Sequence, residues 1–508
     1  DNSLKAAGFK TVMPPLGLMT VAAMLPDNYN VTLIDLNVQD LDLRDVDRSD
    51  LVFLTGMSVH RGSFIEMINI CHDRGKTIIA GGPFIQSMYG LMGSDNAEID
   101  KINHIILYEA ESNLPQFLQD YEQGKAKKIY DNREKPDLTM TPPPRFDLIR
   151  TGDYASMSLQ FSRGCPFNCE FCDIVQMFGH VPRTKTAAQF MHEIETLYAT
   201  GYRGRLFIVD DNLTANRKAV KEMLRSLAAW QEARGYPFIL FTEVSIDLVR
   251  DDDLLHLMVR SGFTSVFIGI ESPDTVTLRA VNKNMNVVND MSTAIEKIQR
   301  AGMEVMGGFI LGFDTDTEDI FDRQLDFISR NGIVQSMVGV LNAMPHTELY
   351  KRLEREGRLI NIQGKGLHSG DNVSAELNFI PRMPKEKLVA GFMYVIAETY
   401  KPRNYFSRSF ILLSRLPHMK ISALLHTEPW IRKLSVAKFT MHPNKIKLAV
   451  EFIKLCFSSY GIRGLIFIIR SLQFGVLTLP VSIELTFRGL HYINVSKRIQ
   501  KQLYEADC

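Results

Sequence analysis

The sequence has few cysteines and no spacing that would pair them in disulfides. Six cysteines occur in 508 residues, and no signal peptide is visible at the start of the chain. Both features argue against a small secreted framework and favour a cytoplasmic protein in reducing surroundings. Asp1 is not a natural first residue, so we expect an N-terminal piece to precede this sequence.

The sequence also has no net charge. Its 58 Lys and Arg residues balance 58 Asp and Glu residues. This balance gives no reason to expect nucleic acid as a partner. With 45% hydrophobic and 23% charged residues, a chain of this length can bury large cores, and we expect two or three domains.

Three of the six cysteines stand together without a fourth. Cys165, Cys169 and Cys172 follow the spacing C-x3-C-x2-C, whereas Cys71, Cys456 and Cys508 are isolated. Structural zinc sites and most iron–sulfur clusters need four ligands. The triplet is therefore either a zinc knuckle or chance cluster, or three ligands of a [4Fe–4S] cluster with one open iron, and the missing ligand favours the cluster. We expect Cys71, in an apolar helical run, to be buried in a core.

The first 110 or so residues alternate apolar runs with helical periodicity, at Leu16 to Leu25 and Gly62 to Arg74. This alternation predicts a doubly wound, Rossmann-like α/β sheet over residues 1–124. The predicted buried strands are Val31 to Asn37, Asp50 to Gly56, Thr77 to Gly82 and His104 to Glu109.

A ligand of such a sheet is expected at the carboxyl ends of its strands. The residues that fall there are Gly56, Met57, Ser58 and Val59 after one strand, and Gly81, Gly82 and Pro83 after the next. Glycine would let the backbone approach a bulky ligand closely. The alternative is an ordinary turn, which Gly-Gly-Pro also forms.

Residues 125–150 are polar and contain Thr-Pro-Pro-Pro, which predicts a linker. From Met157 onwards six strand–helix units follow, and they predict a partial (β/α)6 TIM-like barrel over residues 151–360. The predicted strands are Met157 to Ser162, Leu206 to Val209, Phe238 to Glu243, Ser265 to Ile270, Glu304 to Leu311 and Met337 to Asn342. The helices between and after them are predicted at Ala187 to Thr200, Arg217 to Arg234, Asp251 to Ser261, Val287 to Ala301, Thr317 to Asn331 and Thr347 to Glu356.

Polar side chains end several of the predicted barrel strands. Asp211, Glu243 and Glu271 lie at the mouth where such barrels carry their chemistry. They either cap the helices that follow or contact a ligand, and we favour ligand contacts for Asp211 and Glu271. For Asp314 and Thr317 we expect helix capping.

These motifs resemble the radical S-adenosylmethionine (SAM) superfamily. The resemblance implies that the three cysteines hold a [4Fe–4S] cluster whose open iron is chelated by SAM, and that reduction cleaves SAM to a 5′-deoxyadenosyl radical. It also implies contacts with SAM for a set of residues: Phe171 beside the adenine, Glu271 at the ribose, Ile310 to Gly312 along the adenine, and Asp211 or Glu243 at the methionine end.

The N-terminal sheet makes the sequence similar to the cobalamin-binding class of that superfamily. Met13-Pro-Pro-Leu-Gly17, Gly81-Gly-Pro83 and Glu109-Ala-Glu111 carry this resemblance. Phe171-Cys-Asp-Ile174, Val209-Asp-Asp-Asn212, Gly312-Phe-Asp-Thr-Asp-Thr317 and Leu353-Glu-Arg-Glu-Gly-Arg-Leu359 resemble the hopanoid 2-methylase type. The resemblance implies cobalamin as a third cofactor.

Two departures from cobalamin proteins concern this domain. The sequence contains no D-x-H-x-x-G motif to supply a histidine to cobalt, and His60 is expected to be a surface or lining residue. The first strand of the sheet is also missing, in keeping with a truncated start.

Residues 361–508 differ from the rest and are predicted to be mostly helical. From Lys401 to Cys508 we count 17 Lys and Arg against 5 Asp and Glu. Apolar stretches at Leu448 to Phe457 and Leu465 to Leu479 lie among them, the second broken by Arg470 and ended by Pro480, too short for a membrane span. This region is either a set of amphipathic helices on an anionic membrane surface or a helical cap on the barrel.

The implied function is a radical SAM C-methyltransferase for an unactivated carbon of a lipid or other apolar substrate. One SAM methylates cobalamin, and a second provides the radical that activates the substrate. An electron donor such as flavodoxin or ferredoxin is implied, and we expect no nucleic-acid partner. Two alternatives remain open: cyclisation, rearrangement or oxidation without methyl transfer, and a non-catalytic cluster- or cobalamin-binding regulator.

Overall fold

The computed structural model describes residues 8–92, 97–287, 290–360, 377–417, 460, 463–474 and 479–506. Within these ranges no helix is long and apolar enough to cross a membrane. The predicted apolar stretch at Leu448 to Phe457 lies outside the described residues.

The N-terminal part contains a four-stranded parallel sheet with the strands in chain order. Its strands are β1 (Leu51–Thr55), β2 (Thr77–Gly81), β3 (His104–Ile106) and β4 (Ile129–Tyr130). Its helices are α1 (Leu16–Met24), α2 (Leu43–Arg48), α3 (Arg61–Asp73), α4 (Pro83–Met92), α5 (Ala97–Asp100) and α6 (Ala110–Glu122).

Helices cover both faces of this sheet because its strands alternate between two cores. Ile78 and Ala80 pack with α3 and α4, and Cys71 of α3 is fully buried there as expected. Ile79, between them, points to the opposite face, where α1 and α6 pack. The strand order shows no reversal among the described strands, so the Rossmann-like winding stays a prediction.

The predicted strand at Val31 to Asn37 is wrong. Residues 30–35 form no strand, and a turn follows them. Leu33 packs against the core of the barrel, and buried Asp35 accepts a hydrogen bond from Tyr154 Oη at 3.1 Å. These contacts draw the segment towards the barrel instead of the sheet.

The segment predicted as a linker carries a strand. Ile129 and Tyr130 form β4, which pairs in parallel with β3. Two residues are too few to leave an apolar periodicity in the sequence. The remainder of residues 125–150 is mostly irregular, as its prolines predict.

The middle of the chain is a curved half-barrel of six parallel strands, in the order β12-β11-β10-β9-β8-β5. These strands are β5 (Ser156–Leu159), β8 (Gly204–Ile208), β9 (Phe238–Glu243), β10 (Phe263–Glu271), β11 (Glu304–Leu311) and β12 (Ser336–Val340). A short antiparallel ribbon follows β5 and consists of β6 (Ser162–Arg163) and β7 (Arg183–Thr184). The six barrel strands confirm the predicted α/β half-barrel.

Helices cover the outside of the half-barrel, and their apolar faces form one large core with the strands. They are α8 (Ala187–Ala199), α9 (Arg217–Ala233), α10 (Asp252–Arg260), α11 (Thr275–Ala280), α12 (Met291–Ala301), α13 (Ile320–Arg330) and α14 (Glu348–Arg355). The short helix α7 (Ile174–Phe178), between β6 and β7, has no buried residue and is not part of this core.

The described C-terminal residues are helical, as predicted. The helices are α15 (Lys385–Thr399), α16 (Pro402–Arg415), α17 (Arg463–Ser471) and α18 (Leu479–Ala506). Helix α18 lies at the amino ends of the barrel strands, where Arg488 forms two 2.7 Å hydrogen bonds to Glu304, the first residue of β11. Helix α18 therefore covers the end of the barrel that is opposite the predicted site, whereas Leu388 of α15 packs beside Gly312 at the carboxyl end of β11.

Candidate functional site

The cysteine triplet lies on the loop between β6 and α7. All three thiols are free and partly buried. Cys165 N–H donates to Gly179 O at 3.2 Å, and Cys172 N–H donates to Cys169 O at 3.1 Å, which folds the loop back on itself. Three free thiols on one compact loop are a suitable donor set for three irons of a cluster.

The loop begins with Gly164, a position that only glycine can occupy. Gly164 has a φ of +99°, and a Cβ there would lie 2.9 Å from Val181 O and 3.0 Å from Gly179 O. Both are backbone atoms that cannot move aside. Any other residue would therefore push Cys165 out of the loop.

The protein alone does not favour the thiolate form of these cysteines. Burial raises the pKa of all three thiols, and that of Cys172 to about 12. Lys283 lowers the pKa of Cys169 against this rise, whereas Glu271 and Cys165 raise it further. Bound iron would supply the positive charge that three thiolates need. Among the described residues, no three His, Cys, Asp or Glu side chains are arranged to hold one metal ion.

The predicted carboxylates converge at the mouth of the half-barrel beside this loop. Burial, followed by the charges of Asp211 and Glu271, raises the pKa of Glu243 to about 7. Burial, followed by Asp173, raises the pKa of Asp211 to about 6, and Asp211 Oδ2 is buried without a hydrogen-bond partner. Such groups suit a cationic ligand, which would relieve their mutual repulsion. Their roles stay predictions.

Lys283 is a site residue that the sequence analysis missed. Its ammonium lies 2.5 Å from Glu271 Oε1 and 5.8 Å from the centre of the Phe171 ring. Burial alone would lower its pKa, but Glu271 and Cys169 outweigh burial and raise it, so the lysine stays charged. Nothing in the polar loop Asn282-Lys-Asn284 signals this position, because its partner lies on another element.

The backbone around the Glu271–Lys283 pair is strained, and Gly269 leaves room for the two side chains. Glu271 has a φ of +64° and Asn282 a φ of +60°, conformations that non-glycine residues rarely adopt. A Cβ on Gly269 would lie 2.7 Å from Lys283 Nζ. The backbone at Glu271 is therefore strained, and Gly269 leaves the space that the ion pair occupies.

Phe171 lines a pocket of about 230 Å³ beside the loop. Its ring contacts that of Phe313 with a centroid distance of 5.9 Å. Ile310 of β11 is partly buried against the barrel core. Gly312 has a φ of +99°, and a Cβ there would meet Leu388 of α15 at 2.8 Å, so packing already accounts for this glycine.

The capping prediction for Asp314 and Thr317 is wrong. Asp314 accepts hydrogen bonds from Arg352 at 2.7 Å and from Arg358 at 2.6 and 2.8 Å. Arg352 also bonds Glu170 of the cysteine loop at 2.6 Å. The hydroxyl of Thr317 donates to Asp319 and caps no backbone amide in the described residues. Asp314 thus belongs to an ion-pair chain that ties α14 to the loop.

The glycines at the carboxyl edge of the N-terminal sheet are required by the fold itself. A Cβ on Gly56 would lie 3.1 Å from Phe64 Cδ2, and one on Gly81 would lie 3.0 Å from Ile106 O. Gly82 has a φ of +86° and packs against Thr55, and Pro83 begins α4.

The same edge nevertheless carries unexplained apolar surface, since Met57 is 59% and Val59 51% exposed, on either side of Ser58. His60 accepts a 3.3 Å hydrogen bond from Met57 N–H through Nδ1.

This edge of the N-terminal sheet lies against the β6–β7 ribbon that flanks the cysteine loop. Glu109, three residues after β3, accepts hydrogen bonds from Arg163 of β6 and Arg183 of β7, each at 2.8 Å. Arg163 is two residues before Cys165. The two places where the sequence predicted ligands are therefore neighbours.

Comparison with known families agrees with this arrangement. Residues 159–328 match the model described as the radical SAM superfamily, and residues 347–504 match a domain of unknown function, DUF4070. An uncharacterized methyltransferase of Synechocystis is 40% identical, over 81% of this chain and 75% of its own. The hopanoid C-2 methylase of Rhodopseudomonas palustris is 32% identical, over 78% of this chain and 73% of its own.

Two solved structures share the fold at low sequence identity. The radical SAM methyltransferase TsrM from Kitasatospora setae, solved with cobalamin and a [4Fe–4S] cluster, aligns with a TM-score of 0.59 and 15% identity, over 76% of this chain and 91% of its own. The cobalamin-dependent radical SAM enzyme OxsB, solved with aqua-cobalamin and SAM, aligns with a TM-score of 0.59 and 14% identity, over 99% of this chain and 84% of its own.

Proposed function

This chain belongs to the radical SAM superfamily and is an enzyme, and from that premise we propose that it is a cobalamin-dependent C-methyltransferase of an apolar lipid. The superfamily's cofactors are a [4Fe–4S] cluster and SAM. The observation that carries the proposal is the contact between the carboxyl edge of the N-terminal sheet and the β6–β7 ribbon, from which the cysteine loop begins. A methyl carrier bound at that edge would face SAM bound at the loop.

The residues at the barrel mouth can hold SAM by charge and hydrogen bonding. We assign Cys165, Cys169 and Cys172 to the cluster, and Glu243 with Asp211 to the ammonium group of SAM. Lys283 suits its carboxylate, because this buried lysine is held in its charged form. Glu271 suits the ribose hydroxyls, since a carboxylate accepts both donors. Phe171, with Ile310 to Gly312, provides the apolar surface for the adenine.

The proposed reaction balances with an external reductant. Two SAM molecules and two electrons convert R–H to R–CH3, with S-adenosylhomocysteine, methionine and 5′-deoxyadenosine as co-products. The substrate hydrogen ends on 5′-deoxyadenosine, and the electrons come from a flavodoxin- or ferredoxin-type donor. Radical chemistry suits an unactivated carbon because such a carbon offers no acidic proton. The protein's part is to place the groups and exclude water.

The substrate class rests on the relative that is a hopanoid C-2 methylase. We propose a polycyclic, hopanoid-like lipid for this chain. Such a substrate resides in membranes, and exposed apolar side chains on α17 support peripheral contact of the C-terminal region with a bilayer.

The test uses the reconstituted full chain under anaerobic conditions with CD3-labelled SAM, dithionite and cobalamin. We expect transfer of CD3 first to cob(I)alamin without substrate, and then to a hopanoid that lacks the C-2 methyl group. Cys169→Ser should abolish 5′-deoxyadenosine formation. Formation of 5′-deoxyadenosine without CD3 transfer and without dependence on cobalamin would exclude the methyltransferase and favour cyclisation, rearrangement or oxidation.

A further inference from the structure

A buried ion-pair network joins the N-terminal sheet to the cysteine loop. It consists of Glu109, Glu111, Arg163 and Arg183, and we call it the Glu109 clamp. Arg163 Nη1 lies 2.8 Å from Glu109, Arg163 Nη2 lies 2.8 Å from Glu111, and Arg183 Nη2 lies 2.8 Å from Glu109. The side chains of Glu109 and Glu111 are only 2% and 8% exposed.

The position of the clamp connects two parts of the site directly. Glu109 follows β3, at the carboxyl edge of the N-terminal sheet, and Glu111 lies in the first turn of α6. Arg163 and Arg183 are paired across the β6–β7 ribbon, and Arg163 leads into Gly164 and Cys165. A movement of the sheet edge would therefore displace Arg163, which is only two residues from the proposed cluster ligand Cys165.

If the clamp served only stability, apolar residues could hold the two domains together equally well. Buried ion pairs often stabilise no more than apolar residues of similar volume, because both partners lose their hydration. What they do provide is direction, since charge-assisted hydrogen bonds to arginine fix distance and angle. Thr141 Oγ1 also donates to Glu111 at 3.0 Å, which orients that carboxylate further.

We propose that the Glu109 clamp is a positioning device for methyl transfer between the cysteine loop and the N-terminal edge, an inference that rests on the function proposed above. In that transfer the S–CH3 bond of SAM breaks, both electrons of the new cobalt–carbon bond come from cob(I)alamin, and S-adenosylhomocysteine leaves. The reacting atoms must approach to roughly 3–3.5 Å in line. Reductive cleavage of SAM would involve the cysteine loop and the barrel mouth but not the N-terminal edge. The clamp therefore governs methyl transfer and leaves cleavage largely unaffected.

The test compares Glu109→Gln with Lys10→Gln. Glutamine keeps the shape of Glu109 but removes its charge. Lys10→Gln breaks an exposed ion pair to Asp153, 3.3 Å long, that also joins the N-terminal residues to the start of the barrel. Both half-reactions are measured without substrate: 5′-deoxyadenosine from SAM and dithionite, and CD3 transfer from SAM to cob(I)alamin. We expect Glu109→Gln to slow methyl transfer about 10- to 100-fold and cleavage less than about threefold, and Lys10→Gln to change neither.

A readout independent of turnover uses hydrogen exchange of the ligand-free proteins. Glu109→Gln should speed exchange of the amides in residues 107–111 together with those of β6 and β7, whereas Lys10→Gln should not. Glu111→Gln leaves the Arg163–Glu109 contact intact, so it should give the same pattern with smaller changes. It serves as the test variant if Glu109→Gln does not fold.

Equal losses in cleavage and methyl transfer, with loss of bound iron, would show that the clamp only maintains the fold and would overturn the inference. Unchanged methyl transfer in both clamp variants would overturn it as well. If the wild-type protein transfers no methyl group to cobalamin, the proposed function fails instead, and hydrogen exchange still decides whether the clamp couples the sheet edge to the loop.

Discussion

Charge at the barrel mouth is unbalanced before any ligand binds. Asp211, Glu243 and Glu271 meet there with Lys283, and only Glu271 has the lysine within hydrogen-bonding distance. The unrelieved carboxylates are the groups whose pKa values are raised. In the ligand-free protein these carboxylates therefore repel one another and lower the stability of the fold. A cationic ligand such as the ammonium group of SAM would remove this repulsion.

This cost gives a pH dependence of stability that can be measured without turnover. The folded pKa of Glu243 is about 7, above its ordinary value of 4.5. Between these two values the folded state holds a proton that the unfolded state has lost, so the free energy of unfolding falls as pH rises. We expect Glu243→Gln to raise the Tm by about a few degrees at pH 8 and to have little effect near pH 4.5, by calorimetry of the ligand-free protein.

Glu66→Gln provides the control, since this carboxylate is exposed on α3. Its Tm difference from wild type should stay small at both pH values. A Tm difference for Glu243→Gln that does not grow with pH would show that Glu243 is not held against its charged form.

Local pattern identifies some of these residues and not others. Cys165, Cys169 and Cys172 are recognisable because three ligands fall on one loop, and Glu243 and Glu271 because each ends an apolar strand. Lys283 and Asp314 gain their meaning from partners on other elements: Glu271 lies 12 residues from Lys283, and Arg358 lies 44 residues from Asp314. Such pairings form only in the tertiary fold, so a short stretch of sequence does not reveal them.

At the scale of elements, sequence periodicity predicts strands that are buried on both sides. Strands β9 and β11 begin and end where their apolar runs do. Val31 to Asn37 is also rich in apolar residues, but Leu33 packs against the barrel core, Leu36 is exposed, and the segment forms no strand. Strand β4 pairs through two residues only. Apolar content therefore predicts burial more reliably than strand pairing.

The amino ends of the strands hold another buried ion pair, which concerns stability and not chemistry. Arg488 of α18 and Glu304 of β11 share two hydrogen bonds of 2.7 Å, and Tyr492 and Arg488 both contact Gln335. Glu304 raises the pKa of Arg488 despite its burial. This pair fastens the last helix to the barrel.

We expect Arg488→Met to lower the free energy of unfolding by about 3–5 kcal/mol, because Glu304 would keep a buried and unpaired charge. Adding Glu304→Gln should recover part of that loss. Urea denaturation measures both, and iron bound per chain should not change in the fraction that folds. Arg300→Met breaks the exposed i,i+4 pair with Glu296 and should cost less than about 1 kcal/mol. Equal effects of Arg488→Met and Arg300→Met would contradict the assigned role.

Over the whole molecule, the two ends of the half-barrel have different surroundings. The carboxyl ends of the strands face the cysteine loop and the N-terminal sheet, whereas the amino ends are covered by α18. The sequence predicts this division only in outline, as an α/β domain, a barrel and a helical region in that order. The angle between them depends on contacts such as the Glu109 clamp, whose members are dispersed along the chain.

Helix α17 carries an exposed apolar face on the surface of the molecule. Its inner face is formed by the buried residues Gly464, Phe467 and Ser471. Its other face exposes three large apolar side chains, Leu465, Ile466 and Ile469, beside Arg463 and Arg470, and exposed Leu472 follows directly after the helix. Apolar side chains flanked by arginine are typical of helices that lie in the interface of an anionic membrane.

We therefore expect the full chain to sediment with phosphatidylglycerol vesicles more than with phosphatidylcholine vesicles, and less as salt is raised, because the arginines add an attraction that ions screen. Ile466→Asp with Ile469→Asp should weaken binding about tenfold or more, since two apolar side chains would no longer enter the interface. Met140→Asp is the matched control: Met140 is also strongly exposed, but it lies beside β7, near the cysteine loop. Equal binding to both kinds of vesicle, or equal weakening of binding by Met140→Asp, would mean that α17 does not contact the bilayer. A lipid substrate would then have to reach the barrel mouth by another route.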